Sequence, residues 1–139
     1  FTNIFGPFCE KKESVIARFI KKINNKETVY IRDNGMMIRD FIYVDDVANA
    51  TLKMFRDGKP GQTIQFGSGQ ESTIKEVIEL LADLAPAFKV VNTKSLSGEV
   101  SCVKCDVTYA KKQLNWEPMV DLKVGISQTW DYLKNKREM

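Results

Sequence analysis

The 139-residue sequence contains no histidine and only three cysteines, and these scarcities narrow the chemistry at once. The stretch "CVKC" at 102–105 has the spacing of half a zinc or redox site. With no histidine and no second cysteine pair, tetrahedral zinc within one molecule would need ligands the chain barely has. Three is an odd number, so at least one thiol has no intramolecular disulfide partner. In an extended segment, residues three apart point to opposite faces, so Cys102 and Cys105 read as ordinary thiols, as does Cys9, and no metal is expected. No run of about 18 apolar residues occurs and no charged-then-apolar segment opens the chain. Neither a membrane span nor a signal peptide is indicated, and the expected compartment is the cytosol. Basic and acidic residues, 21 against 18, are interspersed. The small positive excess suits an anionic small ligand, whereas the missing basic stripe with interleaved aromatics argues against nucleic acid.

What is present is enough for one core: 43% of the residues are hydrophobic, and the length is that of a single domain spanning 1–139. The chain opens on Phe1 rather than methionine, and "FTNIFGP" already reads as the end of a strand, so it is expected to be a piece of something longer. Residues 13–25 place Val15, Ile16, Phe19, Ile20 and Ile23 at helical spacing, with Arg18, Lys21 and Lys22 opposite. "TVYIR" reads as a strand, Asp33-Asn34-Gly35 as a turn and Arg39 to Val44 as a second strand. Asp45 or Asp46 can cap the following helix, which stops at Gly58. "QTIQF" predicts a further strand. Thr73 and Glu76 have capping-box spacing and open a helix that runs to Pro86. "FKVVN" is a strand and 93–100 a loop. Asp106 caps a short helix with Tyr109 and Leu114 inward. Asp121 caps a last helix, on which Leu122, Ile126, Thr129, Trp130 and Leu133 share a face. Helices alternating with short strands give an α/β or α+β-like small domain, a short mixed sheet with flanking helices.

Several stretches invite a chemical reading. Gly67 and Gly69 precede a helix as in a dinucleotide-binding turn, but Ser72 stands where the third glycine belongs and the next strand ends at Asn92 without an acidic residue for a ribose, so they read as turn glycines. Tyr132 and Lys136 have the spacing of a proton-transfer pair, yet sit in a lysine-rich tail where fraying is expected. Asp45 and Asp46, at a strand-to-helix junction, are most simply helix-dipole partners. Arg39 is different: a permanently charged five-donor fork at the start of an otherwise apolar strand must find either an ion pair, with Asp40 or Asp45, or an anionic ligand.

Five ordered motifs carry a resemblance that spans essentially the whole chain: "TNIFGP" (2–7), "SVIARFIKK" (14–22), "RDFIYVDDVANA" (39–50), "GKPGQTIQFGSG" (58–69) and "DVTYAKKQLNWEP" (106–118). Together they resemble the carboxy-terminal, substrate-binding half of extended short-chain dehydrogenase/reductases, the NAD-dependent nucleotide-sugar epimerases and dehydratases typified by UDP-glucose 4-epimerase. The resemblance implies roles. Asn3 matches the asparagine that contacts the sugar-nucleotide diphosphate, and Phe1 the aromatic that approaches the nicotinamide. Val15 and Tyr30 match positions lining the base, and Arg39 the arginine that clamps the diphosphate. Two positions depart from the pattern. Arg32 replaces the base-stacking aromatic, so a guanidinium would have to stack instead, and Leu96 stands where a second phosphate-binding arginine is expected.

The implied parent reaction is transient hydride transfer from a sugar carbon to tightly held NAD, followed by isomerisation or dehydration. The NAD-binding glycine-rich Rossmann unit and the catalytic tyrosine and lysine belong, by this resemblance, to a half absent from these residues. The chain alone is therefore expected to bind a nucleotide sugar, to hold no catalytic residue or cofactor by itself, and to be inactive. Left without its partner, a face including Phe5 and Phe8 is expected to be exposed and covered by self-association into a homo-oligomer. The alternative is a truncated, non-catalytic self-associating module whose ligand site has decayed.

Overall fold

The computed structural model describes residues 1–85, 87–94 and 98–137. The strands are β1 (Asn3–Phe5), β2 (Val29–Arg32), β3 (Ile38–Arg39), β4 (Phe41–Tyr43), β5 (Ser72–Thr73) and β6 (Val90–Thr93). The helices are α1 (Val15–Asn24), α2 (Val44–Asp57), α3 (Ile74–Leu84), α4 (Thr108–Leu114) and α5 (Leu122–Arg137). The α/β character expected from the sequence holds, but among the described residues the strands form three two-stranded ladders rather than one sheet. β1 lies parallel to β4, with Asn3 opposite Phe41 and Phe5 opposite Tyr43. β2 lies parallel to β6, from Val29 opposite Val90 to Arg32 opposite Thr93. β3 is antiparallel to β5, with Arg39 opposite Ser72.

β4 separates two apolar clusters because side chains alternate across a strand. Phe41 and Tyr43 face a larger cluster with Phe5, Phe19, Ile20, Leu81, Ile126 and Trp130, drawn from α1, α3 and α5. Ile42 faces the opposite way, toward Ala50, Phe66, Leu114 and Trp116. α1 supplies the larger cluster with Ile16, Phe19, Ile20 and Ile23, the stripe its periodicity predicts. α5 reaches the same cluster only because residue 125 is glycine: a Cβ there would lie 2.7 Å from the Phe5 ring and 2.9 Å from Tyr43.

Capping follows the sequence in part. Thr73 accepts the Glu76 N–H (3.0 Å) and Asp121 that of Val124 (2.8 Å); at α4 the N-cap residue is Val107, without a side-chain cap bond, while Asp106 before it accepts the Thr108 N–H (2.8 Å). α2 differs from expectation: its N-cap residue is Tyr43, which makes no side-chain cap bond. Asp46 instead reaches out of the helix to the backbone N–H groups of Met119 (2.9 Å) and Val120 (3.1 Å).

Four further expectations are corrected. The strand expected from Arg39 to Val44 breaks at Asp40 and ends at Tyr43, because β3 and β4 pair with different partners. "QTIQF" forms no strand among the described residues; beside the start of β1, the Thr2 N–H donates to the Phe66 carbonyl (3.2 Å). Tyr109 is 49% exposed rather than inward, since Ala110 and Leu114 take the buried face of α4. Phe5 is 3% exposed, packed edge-on against Phe41 and Tyr43, so of the expected exposed pair only Phe8, at 82%, lies open. Pro86 and Leu96, on which a helix stop and a missing phosphate contact were read, lie outside the described residues.

Candidate nucleotide site

Arg39 lies on β3, which is held on both edges. β5 pairs on one side, and on the other Ile38 takes the Val103 N–H (3.1 Å) while its own N–H reaches the Ser101 carbonyl (2.8 Å). The guanidinium turns back on its own strand, Nη1 donating to the Ile38 carbonyl (2.8 Å) and Nη2 lying 3.7 Å from the Met37 sulfur. Neither carboxylate weighed as its partner takes it. Asp45 is exposed at the start of α2. Asp40 is fully buried and filled by other donors: Thr2 Oγ1 (2.9 Å), Ser68 N (2.7 Å) and Oγ (2.9 Å), Gly69 N (2.9 Å) and Cys105 N (3.1 Å).

The Arg39 side chain lines a cavity of about 280 Å³, close to the lower end of the range for small-molecule pockets. Its walls come from α1 (Val15, Arg18, Phe19, Lys22), from β2 (Tyr30, Ile31, Arg32) and from Met37, Ile74, Thr93 and Glu99. Four cationic side chains and one carboxylate therefore face one small volume, an arrangement that favours an anion. Two of the cations have a carboxylate neighbour. Arg32 Nη1 donates to Glu99 at 2.9 Å, and Lys22 lies 3.5 Å from Glu27 and over the Tyr30 ring, 5.7 Å from its centroid. The Arg18 guanidinium rests over the Phe19 ring at 5.9 Å. An arginine fork is suited to phosphate oxygens, to which it can donate in pairs.

Of the six residues singled out from the sequence, Val15, Tyr30, Arg32 and Arg39 line this one cavity. Asn3 lies on β1 with its Nδ2 donating to the Asp40 carbonyl (2.9 Å), one residue from Arg39 in the chain. Phe1 is apart from both: it stacks on Phe66 (5.6 Å between centroids) and borders an apolar recess with Met54, Phe55 and Ile64. Sequence reasoning missed Arg18, Lys22 and Glu99. The first two were legible, since positions 15, 18 and 22 fall on one helix face at i, i+3 and i+7. Glu99 is brought in by tertiary folding alone, 67 residues from its partner.

The other motifs resolve structurally. The Gly67–Gly69 loop is a cradle, but its N–H groups already hold the Asp40 carboxylate, and a Cβ on Gly67 would lie 2.9 Å from Asp40 Oδ2 and 2.5 Å from the Cys105 Cβ. That loop therefore does not fit a dinucleotide pyrophosphate. Tyr132 and Lys136 both meet Glu10: the tyrosine hydroxyl donates to its carboxylate and the ammonium lies 3.8 Å away, fastening the segment expected to fray. The hydrogen bond raises the Tyr132 pKa and lowers that of Glu10, which keeps the phenol protonated instead of activating it as a phenolate. Cys102 is exposed and Cys105 buried, on opposite sides of their segment, with Cys9 also buried. Among the described residues no cluster of metal-ligating side chains occurs, and no helix is long and apolar enough to cross a membrane.

The model of the "NAD dependent epimerase/dehydratase family" matches residues 1–67, and nearly the whole chain is similar to part of several nucleotide-sugar epimerases and dehydratases. GDP-L-fucose synthase 1 of Arabidopsis thaliana is 33% identical over 96% of this chain and 44% of its own length. The UDP-glucose 4-epimerase of Thermotoga maritima, solved with UDP-glucose, superposes with a TM-score of 0.90 at 29% identity, over 98% of this chain and 45% of that one. The UDP-glucuronic acid 4-epimerase of Bacillus cereus, solved with UDP-glucuronic acid and NAD, superposes with a TM-score of 0.88 at 25% identity, over 97% of this chain and 44% of that one. The chain thus spans less than half the length of these relatives.

Proposed function

We propose that this chain is the carboxy-terminal, nucleotide-sugar-binding lobe of an NAD-dependent epimerase or dehydratase. The observation that carries the reading is the convergence of Val15, Tyr30, Arg32 and Arg39 on a single cavity with an excess of positive charge. In this reading Arg39 binds the diphosphate, Asn3 approaches it from β1, and Val15, Tyr30 and Arg32 receive the base. NAD, which supplies a hydride acceptor, is held by a second, Rossmann half, and Phe1 is the residue of this chain that approaches the nicotinamide. The 139 residues alone are then inactive, and the protein works in the cytoplasm.

A second reading is favoured by the apolar recess beside Phe1 and Phe55, which are 59% and 87% exposed. In it the chain is a non-catalytic module that covers this face by self-association into a homo-oligomer. Amide-resolved NMR titration with UDP, dTDP, GDP and CDP separates the two. Saturable shifts at Val15, Tyr30 and Arg32 with one nucleotide support the lobe and name its base. No shift at millimolar concentration, about 4 kcal/mol of binding, together with concentration-dependent sedimentation, supports the module.

A further inference from the structure

Asp40 lies at the one residue between β3 and β4, where the chain leaves the ladder with β5 and joins the ladder with β1. Arg39 belongs to the first ladder and Asn3 to the second. Asn3 is bound to Asp40 twice, its backbone N–H (3.1 Å) and its Nδ2 (2.9 Å) both donating to the Asp40 carbonyl. The carboxylate on the same residue is fixed by five donors from three other segments, at Thr2, Ser68–Gly69 and Cys105. A buried carboxylate is costly without such donors, and an apolar residue there would leave the N–H groups of Gly69 and Cys105 unpaired. With them, it sets the direction of the residue 40 side chain and hence the attitude of the peptide that carries Arg39 on one side and holds Asn3 on the other.

We propose that Asp40 is a positioning residue for the diphosphate: by anchoring the junction between the two ladders, it fixes the placement of Asn3 relative to Arg39. This rests on the nucleotide reading of the cavity. Asp40 itself touches no ligand, and the base-binding residues on α1 and β2 do not depend on it. Its loss therefore separates phosphate binding from base binding, which general destabilisation would not do.

The test uses the 139-residue chain and, as probes, the nucleoside diphosphate that saturates the wild type and its parent nucleoside. Asp40→Asn is the direct variant. Thr2→Val/Ser68→Ala, which removes both hydroxyl donors and keeps the backbone ones, serves where Asp40→Asn does not fold. The expected result is at least about tenfold weaker binding of the diphosphate, in line with the cost of small misplacements, with unchanged nucleoside affinity and rescue by Thr2→Ser/Ser68→Thr. Equal weakening of both probes, or of neither, overturns the proposal. If the wild type binds no nucleotide at all, the reading of the cavity fails on its own. The positioning claim is then decided in the free chain by the Asn3 Nδ2 and Arg39 Nε resonances: shifts of both in the variant support it, and unmoved signals overturn it.

Discussion

Asp46, the third residue of α2, holds the backbone N–H groups of Met119 and Val120 at 2.9 and 3.1 Å. One carboxylate thereby ties the helix after β4 to the segment leading into α5, more than 70 residues away in the chain. Removing it leaves two part-buried donors unpaired, at about 1–3 kcal/mol each. Asp46→Ala is expected to lower the unfolding free energy by about 2–4 kcal/mol, read by urea denaturation. Nucleotide affinity, measured where the variant is still folded, is expected to be unchanged.

Arg32 is held by Glu99 at 2.9 Å, at the wall where the base is proposed to stack. Stacking of a guanidinium contributes about 1–2 kcal/mol when partly desolvated. Arg32→Ala is expected to weaken nucleotide and nucleoside alike by about 5- to 30-fold. Arg32→Lys is expected not to restore it, because an ammonium has no planar face to offer. Full affinity of the lysine variant in a calorimetric titration would remove Arg32 from the proposed base site.

Gly125→Ala sets two effects against each other. Helix propensity favours alanine by about 1 kcal/mol. Against this, the new Cβ would lie 2.7 Å from the buried Phe5 ring, and such overpacking costs about 1–3 kcal/mol. The expected net effect lies between about zero and a loss of about 2 kcal/mol, with the Phe5 and Tyr43 ring resonances shifted; unshifted ring resonances would place the ring elsewhere.

The three thiols divide by exposure. Cys102 is open, whereas Cys9 and Cys105 are buried, and burial raises the pKa of both above the ordinary 9.0; the Asp40 carboxylate adds to this for Cys105. Iodoacetamide is expected to modify one thiol rapidly in the folded chain and the other two only on unfolding. A thiol whose pKa is raised by folding is protonated in both states below pH 9, so its stabilising contribution is complete there. Above that value the unfolded chain ionises first, and the contribution is lost as pH rises through the folded-state pKa. Stability is therefore expected to fall at alkaline pH, less steeply in Cys9→Ala/Cys105→Ala.

Local pattern made α1, α3 and α5 legible, because each has a clear apolar stripe and α3 and α5 also have a capping residue at the right spacing. The resemblance groups Val15, Tyr30, Arg32 and Arg39 as candidate binding residues, and these four line one cavity. What sequence could not give was long-range pairing. Asp40 and Asp46 look like ordinary strand-end and helix-cap aspartates, yet their partners lie 28 to 74 residues further on, apart from Thr2. The alternating stretch "QTIQF" shows the converse: strand pattern without a ladder to join among the described residues.

The most direct test of the proposed nucleotide site is calorimetric titration of the wild type, Arg39→Ala and Arg39→Lys with the saturating nucleoside diphosphate at low and high salt. The account predicts at least about a 30-fold loss for alanine, from the 2 kcal/mol or more typical of a charge-assisted fork. It also predicts only partial recovery with lysine and a smaller salt dependence in the alanine variant. Equal affinity of wild type and Arg39→Ala would contradict it.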